Sequence, residues 1–190
     1  MAKVLVIMGS KSDLDVASKA FPVLKKFGIG FEAVVSSAHR TPERTKTIVE
    51  SSDADVFITV AGLSAALPGV VASFTTKPVI GVPVKGDLNY DALLSIVQMP
   101  PGIPVAAVGM GRADNAATLA AEMIALGDPA VASRLAEDRK AQARKVEEDS
   151  KIVEDEARKA CRWEHSSILR ISSKRPRTPS LRRYRPTEGR

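Results

Sequence analysis

The sequence predicts an α/β fold, a three-layer, doubly wound parallel sheet followed by a long C-terminal helix. Three observations predict it. Short runs rich in Val and Ile are separated by Gly/Ser/Pro loops and helical stretches, repeated about five times along the chain. Those runs are nearly continuous in apolar residues rather than alternating with polar ones, as expected of strands covered on both faces. The chain has 190 residues, 44% hydrophobic and 26% charged, which is the size and mix of one globular α/β domain rather than two. Aromatic residues are only 4%, so the core falls to Val, Ile, Leu and Ala.

The strand candidates are Val4–Met8, Phe31–Ser36, Val56–Ala61, Val79–Val84 and Val105–Gly109. Between the first two, residues 13–27 place Leu14, Ala17, Phe21, Leu24 and Phe27 at helical spacing, with Ser12 as N-cap and Asp15 three residues on. Thr41-Pro42-Glu43 is a second helix start, with Thr as cap, Pro in the first position and an acid in the first turn. Such alternation with short loops gives the flavodoxin- or Rossmann-like arrangement, with helices on both sides of the sheet. Residues 1–128 form this α/β domain. Residues 129–160 then read as one long charged helix with a sparse stripe of Val131, Leu135, Val146 and Val153, lying on the outside or against another subunit. From Cys161 to residue 190, Ser, Arg and Pro accumulate and no period survives, so this part is expected to be a disordered basic tail.

Charge divides the same way. The net charge is +6, but residues 1–160 hold 19 Lys/Arg against 20 Asp/Glu, and residues 161–190 hold 9 against 2. The folded part is near neutral and lacks the basic excess of a nucleic-acid-binding domain. Only the tail leaves room for such a partner. A single cysteine, Cys161, excludes an internal disulfide framework and a Cys-rich zinc site, and two histidines, His39 and His165, exclude a His-cluster metal site. Val56–Thr76 and Ala92–Gly111 have the length of membrane spans but are broken by Pro and Gly. No signal-peptide pattern follows the N-terminus, so a cytoplasmic protein without a membrane partner is expected.

In open parallel sheets ligands bind beyond the carboxyl ends of the strands. Three loops there carry chemistry. In Met8-Gly9-Ser10-Lys11-Ser12-Asp13, Gly9 permits a tight turn, Ser10 and Ser12 offer hydroxyls, and the next helix aims its unpaired N–H groups at the same place, which suits a phosphate. The spacing is neither a Walker loop nor GxGxxG, and an ordinary capped helix start reads the same. Asp13 adds a carboxylate able to accept from ribose hydroxyls. The second loop, Ser36-Ser37-Ala38-His39-Arg40-Thr41-Pro42, puts the only histidine of the body on the ligand edge beside a guanidinium. A lone histidine is more often structural, but position favours a proton carrier here, since imidazole titrates near neutral pH. Arg40 supplies a fixed fork for phosphate or carboxylate. The third region is Ala61-Gly62-Leu63-Ser64-Ala65-Ala66-Leu67-Pro68-Gly69, followed later by Gln98-Met99-Pro100-Pro101-Gly102-Ile103-Pro104. Small residues let a backbone approach a ligand, and they equally allow tight helix–strand packing. Composition does not choose between the two.

Together the motifs MGSKSD, SAHRTP, AGLSAALPG and QMPPGIPV, in that order across about residues 3–145, resemble the class I N5-carboxyaminoimidazole ribonucleotide mutase family of purine biosynthesis. The resemblance implies conversion of N5-carboxyaminoimidazole ribonucleotide to 4-carboxyaminoimidazole ribonucleotide without metal, ATP or organic cofactor. It implies phosphate contacts from Ser10 and Arg40 with Gly9, Ser12, Ser37 and Ala38 close by, a ribose acceptor at Asp13, and a proton shuttle at His39. Gly62, Ser64, Ala65, Leu67, Met99 and Pro100 would shield CO2 from water. It further implies a homo-octamer in which Gln98–Pro100 serve a neighbouring subunit's site. Ala66 stands where many members carry a second histidine, which leaves side-chain proton transfer to His39. The alternatives are a class II carboxylase using free CO2, a related pyridine mononucleotide carboxylase, and a non-catalytic nucleotide-binding module.

Overall fold

Five strands form one parallel sheet: β1 (Lys3–Met8), β2 (Gly30–Val35), β3 (Val56–Ala61), β4 (Val79–Pro83) and β5 (Ala106–Ala107), in the order β2-β1-β3-β4-β5. The computed structural model describes residues 2–84 and 89–171. After β1 come a 3-10 turn (Lys11–Asp13), α1 (Leu14–Ala17) and α2 (Ala20–Lys26). Next are α3 (Pro42–Glu50), α4 (Leu67–Ser73), α5 (Asn89–Val97), α6 (Ala113–Ala125) and α7 (Pro129–Ile171).

The side-chain period of two divides each inner strand between two cores. Val4, Val6 and Met8 of β1 pack with α1, α2 and α6 through Ala17, Leu24, Phe27, Ala116 and Ala120. Leu5 and Ile7 face the other way, onto Val49 of α3, Val71 of α4 and Ile96 of α5. This is the doubly wound three-layer sandwich expected from the sequence. Its handedness follows from the strand order. The chain steps to one side of β1 through α2 and to the other through α3, α4 and α5, so right-handed crossovers put those two groups on opposite faces.

Three local features differ from the sequence expectation. Residues 13–27 are not one helix but a 3-10 turn and two short helices. Pro22 has no N–H to give to Ser18, four residues back, and its ring crowds that carbonyl, so the helical run breaks around Ser18 and Lys19. β2 is an edge strand and is largely exposed, although Phe31 stacks on Phe21 of α2 with ring centroids 5.1 Å apart. β5 shrinks to two residues because Pro104 and Gly109 bracket it and it pairs only with Ile80 and Gly81.

Gly81 of β4 shows how tightly one layer is packed. A Cβ there would lie 2.5 Å from Cγ2 of Ile96 and 3.3 Å from Pro68. Ile96 is fully buried and cannot retreat to solvent. Gly81→Ala is therefore expected to cost about 1–3 kcal/mol through overpacking, seen as a lower denaturation midpoint with an unchanged m-value.

The chain divides into two units, Met1–Arg139 and Lys140–Arg190. The first turns of α7 pack on the body. Val131 is buried in the α2/α6 core, Arg134 Nη1 donates to the Phe27 carbonyl at 2.7 Å, Asp138 pairs with Lys26, and Arg139 pairs with Glu122 at 3.0 Å. In the second unit residues 140–161 are exposed, including Val146, Ile152 and Val153. Helix α7 continues to Ile171, past the end at residue 160 that the sequence pattern predicts. The expectation of disorder for 172–190 lies outside the described residues. No helix among the described residues is long and apolar enough to cross a membrane.

Candidate active site

The register brings the first three strands out level. Met8 pairs with Val35 on one side and Val60 on the other. One further backbone bond on each side, Gly9 N–H to Val60 O at 3.1 Å and Ser36 N–H to Met8 O at 2.9 Å, carries the order into the loops. These loops flank the β1/β3 switch point, where successive crossovers diverge and leave a crevice. There the loops after β1, β2 and β3 enclose a cleft of about 480 Å³.

The first loop folds around its own cap. Ser10 has extended backbone angles (φ −151°, ψ 158°), and its Oγ accepts from Ser12 N–H at 3.3 Å. Oδ2 of Asp13 accepts from Ser10 N–H at 2.9 Å. The cap is Ser10 with Asp13 as reciprocating acid, two residues earlier than the Ser12/Asp15 pair read from the sequence. Both pairs have the same spacing, and the one nearer the strand wins because Gly9 has already turned the chain.

Asp13 is only 8% exposed. Burial pushes its carboxyl above the ordinary carboxylate value, against opposing bonds from the Ser10 backbone and Ser12 and the charge of Arg40. Its ionised form therefore costs stability above the shifted pKa, and the cost is released as the pH falls through that value. Asp13→Asn keeps the acceptor for Ser10 but carries no charge. It is expected to be at least as stable as the parent at pH 7, with any excess closing toward pH 4, while ligand affinity falls. Thermal melts across that range, with substrate titrations at pH 7, check both halves.

The second loop is tied to the first. Arg40 Nη2 donates to the Gly9 carbonyl at 2.9 Å, and Arg40 Nε and backbone N–H donate to Ser37 Oγ at 3.2 and 3.3 Å. His39 is exposed and lines the cleft between Ala38 and Arg40. In the third loop Ala65 holds φ 54°, a left-handed conformation costing an alanine about 1–2 kcal/mol, and it lines the cleft. The result is a concave site with one imidazole, one guanidinium, one buried carboxylate and several hydroxyls. That set suits a phosphorylated, polyhydroxylated ligand together with proton transfer. Among the described residues no three His, Cys, Asp or Glu side chains come together to hold a metal ion.

Comparison with known proteins gives the family. A model of the AIR carboxylase family matches residues 3–145. The chain belongs to that family. An N5-carboxyaminoimidazole ribonucleotide mutase of Methanocaldococcus jannaschii is 58% identical over 80% of this chain and 98% of its own length. A mutase of the same name from Thermotoga maritima is 45% identical over 81% of this chain and 93% of its own. Among solved structures, Treponema denticola PurE superposes with a TM-score of 0.73 at 35% identity, covering 78% of this chain and 96% of that one.

In this AIR carboxylase family member the cleft gathers Gly9, Ser10, Ser12, Asp13, Ser37, Ala38, His39, Arg40, Gly62, Ala65 and Leu67. Three of the residues expected at the site do not line it. Ser64 borders a neighbouring depression with Asp91 and Gln98. Met99 lies against Gly69 of α4, where an added Cβ would meet its sulfur at 3.2 Å, and Pro100 is exposed. The third region is thus both things the composition allowed: Gly62, Leu63, Ala65, Ala66 and Leu67 wall the cleft, while Gly69 serves packing. Ala61, Leu63 and Ala66 also line the cleft and were not singled out as ligand contacts. Their signal was only their place in the loop after β3, since none carries a functional group.

Proposed function

We propose that this chain is an N5-carboxyaminoimidazole ribonucleotide mutase, moving CO2 from N5 to C4 of the aminoimidazole ring. The observation that carries the reading is His39, among the described residues the one imidazole lining the cleft, next to Arg40 and in the same cleft as Ser10 and Asp13. The names of the relatives support the same reaction. Ser10, Ser37 and Arg40 hold the phosphate, and Asp13 accepts from the ribose hydroxyls. His39, as imidazolium, gives a proton to N5 as the N–CO2 bond breaks and its electron pair returns to nitrogen. Ring carbon C4 then attacks the released CO2, and neutral His39 removes the C4 proton, restoring aromaticity and its own starting state. The side chains of Ala61, Leu63, Ala65, Ala66 and Leu67 offer CO2 no hydrogen-bonding water site and keep it beside C4.

The site acts within a homo-octamer in the cytoplasm, and Met99 and Pro100 of one subunit complete the cleft of another. Their position away from this chain's own cleft supports that arrangement. The deciding experiment supplies two substrates in turn. Rapid conversion of N5-carboxyaminoimidazole ribonucleotide, with aminoimidazole ribonucleotide plus bicarbonate much slower, supports the mutase. Comparable rates from the second pair would assign the chain to the carboxylases that use free CO2, and no turnover with either would leave a pyridine mononucleotide carboxylase or a binding module.

A further inference from the structure

Behind the second loop lies a chain of hydroxyls that the proposed chemistry does not use. Ser36, at the end of β2, is 2% exposed, and Thr45, one turn into α3, is fully buried. Their oxygens are 2.8 Å apart. Thr45 Oγ1 gives its single proton to the Thr41 carbonyl at 3.2 Å, so Ser36 must be the donor to Thr45. Thr41 in turn accepts from Ser37 N–H at 3.0 Å and donates to Ser37 O at 3.2 Å. Every proton is assigned, and the 3.5 Å separation of Ser36 and Thr41 adds little.

Thr41 occupies the N-cap of α3, but its hydroxyl caps nothing in the helix. A threonine there ordinarily accepts from an N–H of the first turn. This one is turned backwards and clasps both polar groups of the Ser37 backbone. Ser37 Oγ is the group on which Arg40 rests through its Nε and its amide. The clasp therefore spans the segment that carries His39, and it sets where Ser37 presents its oxygen to Arg40.

We infer that Thr41 is a positioning residue, backed by Ser36 and Thr45, whose hydroxyl closes the Ser37–Thr41 turn and thereby aims Arg40 and His39 into the cleft. The inference rests on the mutase reading for its kinetic consequence but not for its geometry. Two variants separate positioning from simple stability: Thr41→Val keeps the branched shape and removes the hydroxyl, and Thr41→Ser keeps the hydroxyl and removes the methyl. With the full-length protein and N5-carboxyaminoimidazole ribonucleotide, Thr41→Val is expected to lose about 30-fold or more in kcat/KM, and Thr41→Ser to stay within about threefold of the parent. Amide hydrogen exchange of Ser37 and Arg40 is expected to quicken at least about tenfold in Thr41→Val, with exchange of β1 and β3 unchanged. Full activity in Thr41→Val, or a serine variant as impaired as the valine one, overturns the inference. Should the parent itself fail to turn over, the mutase reading falls, and exchange at Ser37 and Arg40 alone decides the clasp: unchanged rates in Thr41→Val overturn it, and faster ones uphold it.

Discussion

His39→Asn is expected to reduce kcat by about 10³-fold or more while KM stays within about threefold. Asparagine matches much of the imidazole's size and polarity but cannot carry a proton between N5 and C4, and a positioned acid/base is worth roughly 10²–10⁴ in rate. Here the same side chain is asked to act twice, once as acid and once as base, so the upper part of that range applies. Among the described residues no second imidazole lines the cleft to substitute for it, and the position before Leu67 is Ala66. His39 is exposed, so its replacement should leave stability within about 0.5 kcal/mol, and a kinetic loss cannot be put down to unfolding. Steady-state kinetics with a parallel thermal melt measure all three quantities. Turnover within tenfold of the parent would remove His39 from the reaction.

Arg40→Gln is expected to act mainly on binding, raising KM about 100-fold. Charge-assisted bonds to a phosphate are worth roughly 1.5–3 kcal/mol each, and a neutral amide retains neither the charge nor the fork. A smaller fall in kcat should accompany it, since the same guanidinium ties Gly9 to Ser37 and its loss loosens both loops. Arg40→Lys should recover only part of the affinity, because an ammonium cannot hold Gly9 O and Ser37 Oγ while meeting a phosphate with two parallel donors. Added salt should weaken the parent's binding more steeply than the glutamine variant's. An unchanged KM in the glutamine variant would show that the phosphate lies elsewhere.

The sequence made the layers readable because strand burial and loop chemistry are local signals. Val56–Ala61 reads as a strand covered on both faces and is one, with every residue buried. The place of His39 and Arg40 on the cleft edge was legible because both follow the end of a strand in a parallel sheet. What was not legible depends on partners distant in sequence or on directions of single bonds. Two serines compete to cap the first helical turn, and only the path of Gly9 decides for Ser10. Thr41 reads as a helix cap, yet its hydroxyl points back to Ser37. Met99 stands in a loop rich in Pro and Gly, and nothing in its neighbours tells that it settles on Gly69 rather than in the cleft. The continuation of α7 to Ile171 runs through residues whose apolar period had already faded.

The link from Arg40 to the Gly9 carbonyl joins the turn after β1 to the turn after β2, two stretches 31 positions apart in the chain. Thermal motion of one turn is thereby coupled to the other, and on the proposed reading the groups that would hold the phosphate share a common frame before any nucleotide arrives. An incoming phosphate then meets a receptor whose disorder is already largely removed. More of the contact energy would then remain for aligning the ring at the imidazole in the proposed reaction.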